Sequence, residues 1–335
     1  MKYNELENST KIILKIILAG LLLAFLWVVR DIILILLLSL ILASALDPLV
    51  GYFNEKRVPR FVSVLTVYVL VLGMAGAVIY LLIPPAIEQF TVFRDNVPAY
   101  SMALQERFGS TVFANLNLSE YAKNLFAGSG GASFVVQTFG IFSGLLAFIS
   151  VLVISFYLVA EEKGMKQFIS ALLPDKHHEF TMGLLEKIQK KMGLWILGQV
   201  ILSVAIFLFT WIGLSILGIK YALFLALLAG LLEVVPYIGP FLSAVPGVLF
   251  AFIQSPPLAI AVAILYLLIQ KIEGYVLVPK IMEKTVGTSP LVVLVALLVG
   301  FKLAGVVGLL IAVPLVSAFT VVVNEFWSSK TIAEP

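Results

Sequence analysis

Glu233 is the only charged residue between Lys220 and Lys271, and it stands three residues before Pro236 in the run Leu231-Leu232-Glu233-Val234-Val235-Pro236-Tyr237-Ile238-Gly239-Pro240. An acid at membrane depth is costly, and its default reading is functional. The competing reading is structural, with Glu233 tying a broken helix together by accepting backbone hydrogen bonds. Pro236 and Pro240 each remove a backbone donor, and Gly239 admits conformations that a helix forbids. Backbone groups across Val235–Pro240 are therefore free to meet a solute, beside the Tyr237 hydroxyl. Gln270, Glu273 and Leu277 recur at i, i+3 and i+7 and share one helical face, with Lys271 pointing elsewhere. The alternative for these charges is a helix end that reaches the headgroups. Lys302, in Gly300-Phe301-Lys302-Leu303-Ala304-Gly305, is a partner for an acid such as Glu233 or Glu273. Gln199 is a lone amide in an apolar stretch and reads first as interhelical hydrogen-bonding glue. Gln199, Glu233, Pro236, Tyr237, Gly239, Pro240, Gln270, Glu273 and Lys302 form the candidate substrate- or ion-binding set.

Enzyme chemistry finds no footing. No GxxxxGK[ST] phosphate loop occurs, so the chain does not burn ATP. The only histidines, His177 and His178, are neighbours that point to different faces of a helix, which is poor metal-ligand spacing. There is no cysteine, hence no disulfide framework or thiolate chemistry. No catalytic residue, metal or cofactor is expected. A net charge of +3 is too small to point to nucleic acid.

The elements that hold these residues follow from composition. Of 335 residues, 61% are hydrophobic and 12% charged, with a mean hydropathy of +1.10. A soluble domain is about 45–50% apolar and about 25% charged, so the excess apolar surface must face lipid. A membrane helix needs about 20 apolar residues. Ile12–Val29, Ile32–Val50, Phe61–Ile83, Thr138–Val159, Gly193–Leu217 and Leu258–Val278 meet or approach that length. Lys11 and Lys15 precede the uninterrupted apolar run Ile16 to Val29, but it ends without a small-residue cleavage site and reads as a retained span. Residues 221–253 and 290–323 are also apolar, yet they are interrupted at Val235–Pro240 and Gly300–Gly305. Such a break must be buried in protein or line a wet cavity, so each reads as a re-entrant helical hairpin, with limbs of roughly 14 and 13 residues in the first. The fold class is an all-α polytopic membrane protein with about six full transmembrane helices and two re-entrant hairpins, eight hydrophobic segments in total.

Charge sets the orientation. With both termini cytosolic, fifteen Lys and Arg residues fall inside, five fall outside, and Lys271 and Lys302 sit at membrane depth. Residues 1–83 then form a scaffold of three spans. Residues 84–137 form an extracytoplasmic segment of short amphipathic helices, with Ser119 as an N-cap. Residues 138–335 form a transport region containing the cytosolic loop 160–192. In that loop Phe180, Leu184, Leu185, Ile188 and Met192 have helical spacing beside lysines, which suits a helix lying in the interface. Asp47-Pro48 reads as a helix terminator. Gly140-x-x-x-Gly144 reads as close helix packing or a subunit contact.

The blocks Gly198-Gln199, Leu231–Pro240, Pro246, Gln270-Lys271-Ile272-Glu273-Gly274, Pro279-Lys280-Ile281-Met282, Val286-Gly287 and Ala312-Val313-Pro314-Leu315 resemble the signature of the autoinducer-2 exporter (AI-2E) family. Asp47-Pro48-Leu49 and the basic loop after it match as well, so the resemblance covers nearly the whole chain. It implies a secondary transporter of the bacterial cytoplasmic (inner) membrane that exports a small polar solute, the quorum-sensing signal autoinducer-2 in some members, with sodium/proton exchange in others. It also implies a homo-oligomer, pentameric in the family, and an elevator-like movement of the hairpins. Lys271 stands where the family pattern has a neutral residue, often a second Gln, and Gly274 replaces a common Asn. The alternatives are a Na+/H+ antiporter and, in another class, a non-transporting membrane scaffold or sensor that uses residues 84–137.

The topology is checked by single-cysteine labelling, which is clean because the chain has no native cysteine. A Ser110→Cys variant labels with an impermeant thiol reagent applied from outside. Labelling only from the cytosolic side contradicts the orientation.

Overall fold

The computed structural model describes residues 2–108, 133–161, 178–282 and 289–331, and every element among them is a helix. In chain order these are α1 (Lys2–Val28), α2 (Arg30–Glu55), α3 (Arg60–Phe108), α4 (Ser133–Ala160), α5 (His178–Ile216), α6 (Ala222–Leu232), α7 (Ile238–Gln254), α8 (Pro256–Ile272), a π turn at Glu273–Leu277, α9 (Val278–Met282) and α10 (Pro290–Thr331). Five stretches among the described residues are, by length and composition, apolar enough to cross a membrane: Arg30–Glu55, Arg60–Val92, Glu179–Ile216, Pro256–Met282 and Pro290–Glu325, the last of which is broken at Ala304 and Gly305. The all-α polytopic class read from the sequence is the fold observed.

Several joints differ from the sequence reading. Between α1 and α2 the ladder passes through Val29, whose N–H donates to Phe25 O while Ile33 N–H donates to Val29 O, each at 3.0 Å. The first two apolar runs are therefore joined by a kink, and the large side chains of α1 from Ile13 to Val28 are exposed. Asp47-Pro48 does not terminate α2, which runs on to Glu55 with Pro48 inside it. Proline cannot donate to the carbonyl four residues earlier, here Ser44 O. That oxygen is covered from outside: Gly193 of α5 lies so close that an added Cβ would sit 2.0 Å from it.

The third span continues past Pro84-Pro85 to Phe108 as one helix of 49 residues, about 74 Å at 1.5 Å per residue. The first part of the outer segment is therefore an extension of α3, and Ser119 lies outside the described residues. The amphipathic stretch before the fifth span is not a separate interfacial helix, because His178–Ile216 is a single helix of 39 residues whose first part runs into that span. Its apolar stripe runs from an exposed Phe180 through half-buried Leu184, Leu185 and Ile188 to a buried Met192 packed on Ile41 and Ile311. Gly144 is not a close-packing site within the chain, since a Cβ there would meet nothing within 4 Å.

Both hairpins are present. In the first, α6 has 11 residues and α7 has 17, and the turn is Glu233–Tyr237 with Tyr237 in the left-handed region at φ 66°. Ile238 and Gly239 open the second limb instead of lying in the turn. Pro240 is the third residue of α7, where no intrahelical donor is required. Gly239 closes the turn, its Cα lying against Leu232 O at a distance that would put a Cβ 2.1 Å away. The second hairpin reverses at Ala304 (φ −141°, ψ 19°) and Gly305 (φ 58°, ψ −136°). Gly300 and Gly308 then meet backbone to backbone, and a Cβ on Gly308 would fall 1.8 Å from Gly300 O. The 11 residues of α6 rise about 17 Å, well short of a hydrocarbon core of about 30 Å.

Two cores flank α5. The early one joins α2, α3 and α4 through Val50, Val64, Val67 and Val159, with Tyr68 O–H donating to Ser155 Oγ at 2.8 Å. Arg60 braces one end of this core, pairing with Asp47 at 3.1 Å and donating from Nε to Val159 O at 2.9 Å. The later core joins the end of α5 to both limbs of the first hairpin and α8 through Leu214, Leu225, Phe250 and Val262. The long α3 reaches over to this part. Gln89 Oε1 accepts from Phe224 N–H at 3.0 Å, satisfying one of the free donors at the start of α6. Ser255 caps α8, accepting from Leu258 N–H, ahead of Pro256 at the first helical position. Helix α5 contacts α2, α6, α8, α9 and α10 and is the axle of the molecule.

Substitution at the glycine contacts tests this geometry. Gly239→Ala and Gly308→Val each push a side chain into a backbone carbonyl and lower stability by about 1–3 kcal/mol or more. Gly73→Ala, with nothing within 4 Å of its Cβ, leaves the Tm of the detergent-purified protein unchanged. Equal Tm values for all three contradict the closed turns.

Candidate functional site

The site forms where the first hairpin breaks against α5 and the end of α8. Glu233 is the C-cap of α6 and is 1% exposed. Its carbonyl has lost its helical partner because Tyr237 turns left-handed, and the Gln199 side-chain amide of α5 donates to it instead. The Glu233 Oε2 atom is buried with no hydrogen-bond partner, as is Gln199 Oε1. Glu273, 7% exposed, begins the π turn, and Gln270 Nε2 donates to its Oε2 at 3.3 Å. A π turn is rare, and inside an α-helix it re-aims side chains, often at functional sites.

Two hollows adjoin these groups. An inner cavity of about 270 Å³ is lined by Thr210, Pro240, Ser243, Tyr266, Gln270 and Glu273 among apolar residues that include Ile206, Ala229 and Ile269. Tyr266 lies flat on Gly247 of α7, where a Cβ would come within 2.6 Å of its ring, and its hydroxyl is buried and unpartnered. A larger apolar crevice of about 710 Å³ runs between α2, α4, α5 and the hairpins, with Gln199, Ser203, Gly230 and Val234 in its wall. Six buried polar atoms lack partners among the described residues: Gln199 Oε1, Ser203 Oγ, Thr210 Oγ1, Glu233 Oε2, Tyr266 OH and Ser317 Oγ. An orphaned buried polar group costs about 1–3 kcal/mol, so several in one region mark a place that accepts something polar.

Of the residues singled out from the sequence, Gln199 meets Glu233, and Gln270 meets Glu273 with Pro240 in the same cavity wall. Gly239 acts through the backbone turn, and Pro236 is half-buried within it. Tyr237 is exposed, with its ring outside both hollows. Lys302 is exposed at the tip of the second hairpin and makes no ion pair with Glu233 or Glu273, because both carboxyls are buried against α5 and α8. Lys271 points outward, over the Tyr275 ring at 5.4 Å, as the helical-face reading requires. Ser203, Thr210, Ser243 and Tyr266 were not singled out. The signal for two of them is in the spacing: Thr210 is eleven residues after Gln199, and Tyr266 is four before Gln270 and seven before Glu273. No group of three or more acidic or histidine side chains is arranged for a metal ion among the described residues.

The chain matches the model of the AI-2E family transporter over residues 16–328. It is 27% identical over 317 residues to the candidate transport protein YrrI of Bacillus subtilis (strain 168), covering 91% of this chain and 89% of that one. It is 28% identical over 332 residues to the candidate transport protein YhhT of Escherichia coli (strain K12), covering 97% and 92%. The AI-2 transport protein TqsA of Escherichia coli (strain K12) is 25% identical over 340 residues, covering 97% and 95%.

Gln199→Leu removes the donor to the Glu233 carbonyl and destabilises the protein by about 1–3 kcal/mol. Lys302→Ala, at an exposed position without an ion pair, changes stability by no more than about 0.5 kcal/mol. Thermal unfolding of both variants in detergent checks the contrast, and equal losses contradict it.

Proposed function

The chain belongs to the AI-2E family of membrane transporters, and from that premise we propose that it is a secondary carrier moving a small polar solute across the bacterial cytoplasmic membrane. The observation that carries this reading is the pair of buried carboxyls, Glu233 and Glu273, each at a helix irregularity. Glu273 lines a cavity of about 270 Å³, room for roughly nine waters at about 30 Å³ each, and so for a small solute. Hydroxyls of Thr210 and Tyr266 and the Gln270 amide supply donors and acceptors there, and half-helix ends add partial charges.

Transport proceeds by alternating access, with the two hairpins moving against the early helices in an elevator-like manner within a homo-oligomer, a pentamer by family resemblance. The exported solute is a signal like autoinducer-2, a reading supported by the name of TqsA. A second reading, exchange of sodium for protons, is favoured by one observation: the unpartnered Glu233 Oε2, which is free to take a proton or an ion. A non-transporting scaffold or sensor has no use for broken helices with buried acids.

The test is a solute screen on purified protein in liposomes with imposed pH and sodium gradients. Gradient-dependent uptake of a small polar solute above empty liposomes is expected. Solute-independent sodium/proton exchange selects the second reading, and neither activity contradicts both.

A further inference from the structure

Gln199, Ser203, Ile206 and Thr210 follow one another at i, i+4, i+7 and i+11 and share one face of α5. The first two open on the crevice and the last on the inner cavity, about 17 Å apart along the axis from Gln199 to Thr210. Hydroxyls elsewhere in the helices bond back to the carbonyl four residues earlier: Ser39 to Ile35, Ser44 to Leu40, Ser150 to Leu146 and Thr320 to Val316. Ser203 and Thr210 forgo that bond, and their buried hydroxyls have no partner. Across the inner cavity, the Tyr266 hydroxyl is equally unpartnered. Between the unpartnered groups of Gln199 and Ser203 and those of Thr210 and Tyr266 sits a dry contact, in which Ile206, 3% exposed, packs on Ala229 of the first hairpin and on Ile269 of α8. Beside it Gly230 presses on α5, with room for no Cβ against Phe207 Cβ at 2.8 Å or Ser203 O at 3.0 Å.

We propose that the crevice and the inner cavity are the two wetted ends of one solute path along this face of α5, and that Ile206 against Ala229 and Ile269 is its gate. An apolar constriction between hydrated chambers blocks passage by excluding water, and it opens when one wall moves away. Ala229 lies four residues before Glu233 on the same limb. A shift of the hairpin therefore moves the gate and the buried carboxyl together. The use of this path rests on the transport reading, but its wetness and its seal are measurable without any known solute.

Ser203→Cys, Thr210→Cys and Ile212→Cys are compared in the cysteine-free full chain, reconstituted in liposomes, with a small cationic methanethiosulfonate. Ile212 is 52% exposed and lies outside both hollows. Only a hydrated thiolate reacts, so the first two thiols react at least about tenfold faster than the lipid-facing control. In vesicles carrying a pH dye, Ile206→Ser, or Ile206→Ala if the serine variant does not purify, raises passive proton leak by about tenfold over the wild type, because a wetted constriction conducts. Thiols no more reactive than Ile212→Cys, or a gate variant that elutes as the same oligomer and holds its gradient like the wild type, overturn the proposal. A chain that shows the labelling and the leak but carries no solute would instead refute the carrier reading.

Discussion

A helix broken in hydrocarbon releases carbonyls that lipid cannot satisfy, and most of this structure can be read as the covering of four such oxygens. Pro48 frees Ser44 O, which Gly193 covers; Pro236 denies Leu232 O its i+4 donor, so that oxygen accepts from Val235 N–H at 3.0 Å instead and is covered by Gly239. The left-handed Tyr237 frees the Glu233 carbonyl, which the Gln199 amide takes. The reversal at Ala304–Gly305 presents Gly300 O, which Gly308 covers. Three of the four covers are glycines, because only a residue without Cβ lets one backbone come this close to another. Two of the covers, Gly193 and Gln199, stand on α5. That helix therefore holds the early core and the first hairpin in register at once.

The same constraint explains why the site is where it is. Gln199 spends its amide donor on the Glu233 carbonyl, which leaves its own oxygen and the Glu233 carboxyl without partners in a buried setting. A fold selected only for stability would fill or pair those groups, since each orphan costs about 1–3 kcal/mol. Gln199 opens on the apolar crevice and Glu273 on the cavity lined by hydroxyls and an amide, and orphaned polar groups retained beside hollows are the expected signature of a place that binds something polar part of the time. The Lys187–Glu325 pair at 2.7 Å, joining the N-terminal part of α5 to α10, is ordinary by comparison: it is exposed and contributes at most about 1 kcal/mol.

What could be read from the sequence follows local chemistry. The breaks at Val235–Pro240 and Gly300–Gly305 were legible because proline and glycine act on their own backbone. The pairing of Gln270 with Glu273 was legible because i, i+3 spacing is geometry. Pro48 misled because tertiary packing overrides local propensity: the carbonyl it frees, Ser44 O, is covered by Gly193, 149 positions later in the chain. The length of α5 was missed because its N-terminal turns are amphipathic and its C-terminal turns apolar, which reads as two elements although one helix continues through both. The Lys302 partnership failed for a similar reason. Which way a hairpin tip points is set by how the whole hairpin docks, and spacing carries no record of that. Thr210 was visible in the period but chemically quiet, since an isolated Thr hydroxyl in an apolar helix usually bonds to its own backbone, and Tyr266 read as one more large ring in an apolar face.

The central claim is that the Glu233 carboxyl works in transport while its backbone, not its charge, holds the hairpin. Glu233→Gln keeps the shape and the carbonyl that Gln199 caps but removes the ionisable group. Flux in proteoliposomes under an imposed proton gradient, measured beside the Tm of the same preparation, decides the matter. The account predicts a normally assembled protein with an unchanged Tm and a flux reduced by at least about tenfold, the equivalent of about 1.4 kcal/mol in the barrier. Full flux by Glu233→Gln at every pH tested would contradict it and leave the carboxyl a structural prop.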